Sequence, residues 1–152
     1  MATWLDIATP FVQREEGCVL TAYPDPVSGG DPWTIGYGAT GPHITAGVVW
    51  TQEQADADLQ ARLTVLGTTI LAAAHVRLTD NEVAALTDFA YNEGLRALLY
   101  ASTLWRVLQC GDYEEAAAQF LAWDIACGRA VPGLESRRMR EKILFNTPGV
   151  TA

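Results

Sequence analysis

EEGCVLTAYPDPVSGGDPWTIGYGATG, residues 15–41, places two acids before a helix-stopping glycine and then sets two β-prone runs around a turn rich in Pro and Gly. Residues 19–23 and 33–37 form an antiparallel hairpin in this reading, with Ser28-Gly29-Gly30 in its turn. A carboxyl at the C-terminal end of a helix, here Glu15 or Glu16, faces the negative end of the macrodipole. Val19 and Leu20 beside it add an apolar surround that raises its pKa and favours the protonated form near neutral pH. Asp25 stands between Pro24 and Pro26, whose fixed φ angles present its side chain rigidly, and it stays ionised if solvated. Two carboxyls whose surroundings push their pKa values apart are the acid and base that glycoside hydrolysis requires. Thr34 opens the alternating run TIGYG that follows.

Helical signals dominate outward from this stretch. Thr9-Pro10 reads as N-cap and first position of a helix that stops at Gly17, with residues 1–8 as an extension whose Trp4 and Ile7 pack inward. After a turn at Gly41-Pro42 and a short run to Val49, Thr51 and Gln54 make a capping box ahead of Ala55, Leu59, Leu63, Leu66, Ile70 and Leu71 at helical spacing. Thr79 with Glu82 and Asp112 with Glu115 cap further helices, a short one starts at Ser102 or Thr103, and Leu134 opens the last, which runs to Phe145 with its arginines on one face. Everything after residue 50 reads as helix, with a loop at 128–133. The predicted fold is a single α+β domain over residues 1–152, a small antiparallel hairpin lobe and a larger helical lobe with a cleft between them.

At 152 residues, with 49% hydrophobic and 18% charged residues, the chain can bury a core and is not disordered. The longest apolar runs are too short to span a bilayer, and Asp6, Arg14, Glu15 and Glu16 in the first helical region argue against a signal segment, so synthesis in a cytosol is expected. Cys18, Cys110 and Cys127 match no zinc or redox spacing and read as reduced thiols filling core space. The net charge is −8, and residues 1–128 hold sixteen acids against five arginines. The only basic segment is 129–152, with Arg129, Arg137, Arg138, Arg140 and Lys142 against Glu135 and Glu141. Phosphate backbones reward clustered cations, so nucleic-acid binding is not expected. No GxGxxG or Walker pattern follows Gly36 and Gly38, which read as close-packing positions at a hairpin end.

Glu16-Gly17, Ala22-Tyr23-x-Asp25 and Thr34-Ile35-Gly36-Tyr37-Gly38 resemble the catalytic signature of the phage-type lysozymes, the endolysins and muramidases of glycoside hydrolase family 24. LTDNEVAALTDFAYNEG (78–94), STLWRVL (102–108), GDYEEAA (111–117) and PGLESRR (132–138) resemble that family's later blocks in the same order. The resemblance implies a lysozyme-like fold and hydrolysis of the β-1,4 bond between N-acetylmuramic acid and N-acetylglucosamine in peptidoglycan, with no metal and no cofactor. It further implies Glu16 as general acid, Asp25 as the carboxylate that activates water, and Thr34 as the hydroxyl that positions that water. Tyr23, Tyr91 and Asn92 would support the substrate, and one of Arg137 and Arg138 would reach the catalytic glutamate. A monomer is implied, released to the cell wall from the host cytoplasm by a separate membrane-permeabilising holin. Two positions depart from the pattern: Ala39 stands where the family commonly has His, and the interval from Asp25 to Thr34 is lengthened by Ser28-Gly29-Gly30-Asp31, which adds a second acid.

A different class remains open on the residues alone, a catalytically silent lysozyme-like module that binds glycan or serves as a structural part. A zinc amidase or cysteine peptidase is weaker, because His43 and His75 are the only histidines and neither lies in a ligand motif.

Overall fold

The computed structural model describes residues 2–126 and 129–152. Helix α1 spans Trp4–Glu16, and strands β1 (Val19–Tyr23), β2 (Thr34–Gly36) and β3 (Ala39–Thr40) follow. Then come α2 (Gln52–Ala73), α3 (Asp80–Glu93), α4 (Thr103–Gln109) and α5 (Tyr113–Gln119). The short strands β4 (Ile125–Ala126) and β5 (Arg129–Ala130) precede α6 (Pro132–Phe145). The chain divides into two compact units, residues 9–62 and residues 1–8 with 63–152, so α1 and α2 each contribute to both. Among the described residues no helix is long and apolar enough to cross a membrane.

The unit of residues 9–62 is built on a three-stranded antiparallel sheet in the order β1-β2-β3. Ala22, Ile35, Ala39 and Ile44 are buried together under Trp33, Val48 and Trp50. The β2–β3 connection turns at Gly36 and Gly38, both with positive φ, and the Trp50 ring lies 3.0 Å from where a Cβ on Gly36 would sit. Close packing at a hairpin end is thus what these glycines provide. The expected hairpin is present, and Ala39–Thr40 adds a third strand to it.

The other unit packs helices around Ile70, Val83, Leu86, Phe89, Leu98, Leu104, Leu108, Phe120 and Phe145. Phe89 stands edge-on to Phe120 at 5.7 Å and to Trp123 at 5.3 Å, the geometry that the aromatic quadrupole favours. The predicted caps form: Thr79 and Glu82 make a complete capping box on α3, Ser102 caps α4, and Asp112 caps α5.

The structure corrects four expectations. Helix α1 starts at Trp4, not at Thr9-Pro10, because Thr3 and Asp6 cap it reciprocally at 2.8 and 3.4 Å and Asp80 Oδ1 accepts from Trp4 N at 2.7 Å. These bonds, with Ala8, Phe11 and Val12 buried, offset the donor that Pro10 lacks inside the helix. Residues 125–130 include the β4–β5 pair where only helix and loop were expected, and Pro132 is the first residue of α6 rather than loop. Residues 97–101 form a π-helical turn that no periodicity announced. Cys18 and Cys110 are exposed instead of core-filling, since each follows a helix end in a connecting turn, and Cys127 lies outside the described residues.

Candidate active site

Glu16 is the last residue of α1, and Gly17 ends that helix with φ +65° while its N–H donates to the Gln13 carbonyl at 3.1 Å. A left-handed glycine after the last turn is the common helix stop, so the Glu-Gly pair fixes where the carboxyl stands. Glu15 and Glu16 are both half-buried. Glu16 Oε2 lies 3.9 Å from the position a Cβ on Gly38 would occupy, so the carboxylate stands against the β2–β3 turn. The helix end is held there by a polar network that sequence reading missed. The Tyr37 hydroxyl donates to Asp56 Oδ1 at 2.8 Å, and Gln52 Nε2 and Gln13 Nε2 each donate to both of those oxygens, at 2.9 Å and 3.2 Å respectively. Burial, and next the Asp56 carboxylate, push the Tyr37 phenol up to about 12, and the Tyr37 hydroxyl in turn holds Asp56 below the usual carboxylate range. The four residues come from α1, the glycine turn and α2, so only a long-range contact reveals them; the one sequence signal was a tyrosine between two glycines.

Asp25 is more firmly placed than its flanking prolines alone require. Its Oδ1 accepts from Ser28 N at 2.8 Å and Val27 N at 2.9 Å, while its backbone N–H reaches the Gly30 carbonyl and its carbonyl receives Gly29 N. This is an Asx turn that closes the lengthened loop on the aspartate itself. The Ser28 amide, followed by that of Val27, lowers the Asp25 pKa, so it is a carboxylate at neutral pH. Asp31 is exposed and lends its backbone carbonyl to Ser28 Oγ at 2.9 Å. An Asp25→Asn substitution keeps an oxygen for the Asx turn and removes the charge; Asp31→Asn removes a charge outside that turn. The expected result in a cell-wall turbidity assay is a loss of about a hundredfold or more for Asp25→Asn and of less than about threefold for Asp31→Asn, the first being the scale of lost acid–base catalysis. The reverse order, with both variants folded by circular dichroism, would assign the base to Asp31.

Thr34 begins β2 and lies opposite Tyr23 on β1 and Thr40 on β3. Residues directly opposite in antiparallel strands share a face, so Tyr23, Thr34 and Thr40 form one row of hydroxyls across the sheet. The structure thereby brings together two residues named from sequence, Tyr23 and Thr34, and adds Thr40.

The remaining named residues belong to the helical unit, where Arg137 and Arg138 enter a buried charge cluster. Arg137 is buried and donates to both Asp88 oxygens, from Nε at 3.0 Å and Nη2 at 2.8 Å. Arg138 is fully buried; its Nη2 donates to Asn92 Oδ1 at 2.5 Å, and Nη1 stands 3.5 Å from Glu93 Oε1. Its Nε is 3.1 Å from Glu141 Oε2 but off the hydrogen-bonding line, and its guanidinium lies 4.9 Å from the Phe89 ring centre. Both Glu141 oxygens are buried without a hydrogen bond. Burial raises the Glu141 carboxyl well above its ordinary value, and Asp88 beside it adds to this. The PGLESRR block thus binds α6 to α3, with Tyr91 and Asn92 in the last turn of α3. Asp88 and Glu141 escaped sequence reading because nothing in a helical pattern marks an acid as buried.

A helix stopped at a glutamate, a small antiparallel sheet and a following set of packed helices define the lysozyme-like fold. Consistent with it, the structure matches the muramidase domain of SpmX from Asticaccaulis excentricus with a TM-score of 0.83 at 32% identity, covering 93% of this chain and 96% of that one. The chain belongs to the phage lysozyme family, whose model matches residues 13–141. It is 36% identical over 141 residues to an endolysin of Acyrthosiphon pisum secondary endosymbiont phage 1, covering 90% of this chain and 93% of that protein. It is also 36% identical over 137 residues to the endolysin of Bacillus phage PZA, covering 90% of this chain but spanning 52% of that longer protein.

Proposed function

We propose that this chain is a peptidoglycan-lytic endolysin that hydrolyses the β-1,4 bond between N-acetylmuramic acid and N-acetylglucosamine, with Glu16 as general acid, Asp25 as the base that activates water, and Thr34 as the hydroxyl that positions it. The observation that carries the assignment is the set of carboxylates held by their own backbone: Glu16 by the Gly17 stop and Asp25 by its Asx turn, with the Thr34 row in the same unit. The family relationship over residues 13–141 supports the reaction class. Protonation of the leaving oxygen by Glu16 would accompany attack of water from the opposite face of the ring, which is an inverting mechanism and needs no metal. Release of new reducing ends from purified peptidoglycan tests the activity.

The finer reading is that a monomer is made in the host cytoplasm and reaches the wall once a separate holin has breached the inner membrane. It rests on the family resemblance. Expression in a Gram-negative cytoplasm is then tolerated, with culture density holding until the membrane is permeabilised, and falling within minutes after chloroform is added. Lysis while the membrane potential remains intact would contradict it.

A further inference from the structure

The Gly17 stop fixes the backbone of Glu16, but the carboxyl lies several rotatable bonds away, and a general acid works only within hydrogen-bond reach of the oxygen it protonates. The wall against which that carboxyl stands is the β2–β3 turn, where Glu16 Oε2 lies 3.9 Å from where a Cβ on Gly38 would sit. The turn has little grip of its own, since Gly36 and Gly38 carry no side chain to anchor it. Tyr37, between them, supplies the anchor. Its ring is buried, and its hydroxyl donates to Asp56 Oδ1 at 2.8 Å. The same Asp56 oxygen accepts from Gln52 Nε2 at 2.9 Å and from Gln13 Nε2 at 3.2 Å, so one carboxylate oxygen gathers donors from the glycine turn, α2 and α1. Hydrogen bonds to an ionised acceptor are about twice as strong as neutral ones, and the Tyr37 hydroxyl favours the ionised form of Asp56. Arg62, tied to Asp58 through Nε at 2.8 Å, adds a second hold on the turn by donating from Nη2 to the Tyr37 carbonyl at 3.4 Å.

The grip falls on both sides of the place where Glu16 meets the turn. Gln13 precedes Glu16 by three residues on α1, the spacing of neighbours on one helix face, and its carbonyl receives the Gly17 N–H. Tyr37 directly precedes Gly38. We propose that Asp56 is a positioning residue of the reaction: with Tyr37, Gln13 and Gln52 it clamps the glycine turn to the last turn of α1 and so sets the Glu16 carboxyl for proton transfer. The inference rests on the hydrolase reading above and adds to it the residues through which Glu16 is aimed. A displacement of about 1 Å at a reacting group costs on the order of a hundredfold in rate. Because the clamp acts on the acid and not on the glycan strand, its loss falls on kcat and leaves KM nearly unchanged.

The test reads kinetics and the order of the turn together, from reducing-end release on purified peptidoglycan and from ¹⁵N relaxation at the Gly38 amide. Asp56→Ala is expected to lower kcat about tenfold or more with KM within about twofold, and to loosen the Gly38 amide. Asp56→Asn keeps the oxygen that all three donors use, so it is expected to restore kcat to within about threefold of wild type and to restore the order of the turn. Tyr37→Phe keeps the buried ring and removes the hydroxyl; its kcat is expected to fall by about fivefold or more, again with KM little changed. A folded Asp56→Ala chain with kcat within twofold of wild type, a loss that appears in KM instead, or an Asn variant no better than the Ala variant would each overturn the proposal. If Asp56→Ala does not fold, Tyr37→Phe decides by the same criteria. Should the wild-type chain release no reducing ends, the hydrolase reading fails by itself; the clamp then stands if Gly38 loosens in Asp56→Ala and falls if it does not.

Discussion

Glu16→Gln is expected to lower the lysis rate of permeabilised cells by at least about a hundredfold while the circular dichroism spectrum and melting temperature stay close to wild type. General acid catalysis contributes about 10²–10⁴-fold, and an amide of the same shape cannot protonate the leaving oxygen. Stability is expected to survive because the residue sits at the end of α1, where the Gly17 stop and the Gln13–Tyr37–Asp56–Gln52 network hold the backbone whatever the side chain carries. Glu15→Gln is the control one residue away and should retain most of the rate. A Glu16→Gln chain that keeps more than a tenth of the wild-type rate would remove Glu16 from the acid role.

The second large effect concerns the helical unit. Arg138→Met takes the nearer cation from Asn92, Glu93 and the buried Glu141, leaving Glu141 only Arg137 at 3.8 Å, and removes the guanidinium from the Phe89 ring. Removing one member of a buried charge network costs about 3–5 kcal/mol, because the groups left behind lose compensation and packing. For a chain of this size, with about 2–4 °C per kcal/mol, the melting temperature is expected to fall by roughly 6–20 °C. Combining it with Glu141→Gln should recover part of the loss, since residues in one network couple by about 0.5–3 kcal/mol. A fall of under about 2 °C in Arg138→Met would show that the cluster carries little of the stability.

The same cluster sets a pH dependence. Burial raises the Glu141 carboxyl above its ordinary value of 4.5, so the folded state holds that proton more firmly than the unfolded chain does. Its contribution to stability is therefore fully present below 4.5 and declines as pH rises from there through the raised value. The groups that face it are Asp88 on α3, which pushes in the same direction, and Arg137 and Arg138 on α6, which oppose it. Chemical denaturation across pH 4–8 is expected to show a shallower decline in Glu141→Gln than in wild type. An unchanged slope would mean that Glu141 is ionised throughout.

Much of this molecule could be read from local chemistry. Capping pairs such as Thr79 with Glu82 and Asp112 with Glu115 announce helices because the residues that satisfy the first-turn amides lie three positions apart. The Gly17 stop and the hairpin around Asp25 were legible for the same reason. What escaped depends on partners far along the chain. Pro10 looked like a helix start because only its own φ preference is local, whereas the cap that wins is made by Thr3, Asp6 and the distant Asp80. The Tyr37–Asp56 bond and the Asp88–Arg137 pair join residues 19 and 49 positions apart, beyond any periodic signal. Cysteine composition suggested burial, but Cys18 and Cys110 sit where chain ends of helices meet solvent. Asp25 was legible as a rigid acid through its prolines; that its loop folds onto it through Ser28 was not, since a Ser-Gly-Gly run by itself reads as flexible.

That two separate carboxylates cleave the glycan by acid–base catalysis, with a water attacking from the far face, is open to test through the anomer released first. Proton NMR of purified peptidoglycan fragments during the opening minutes of digestion, before mutarotation, should show new α-configured N-acetylmuramic acid reducing ends, the product of inverting a β-linkage. First-formed β-anomers would require a covalent intermediate on one of the carboxylates, and an absence of new reducing ends would mean that the chain is not a glycosidase; either result contradicts the roles given to Glu16 and Asp25.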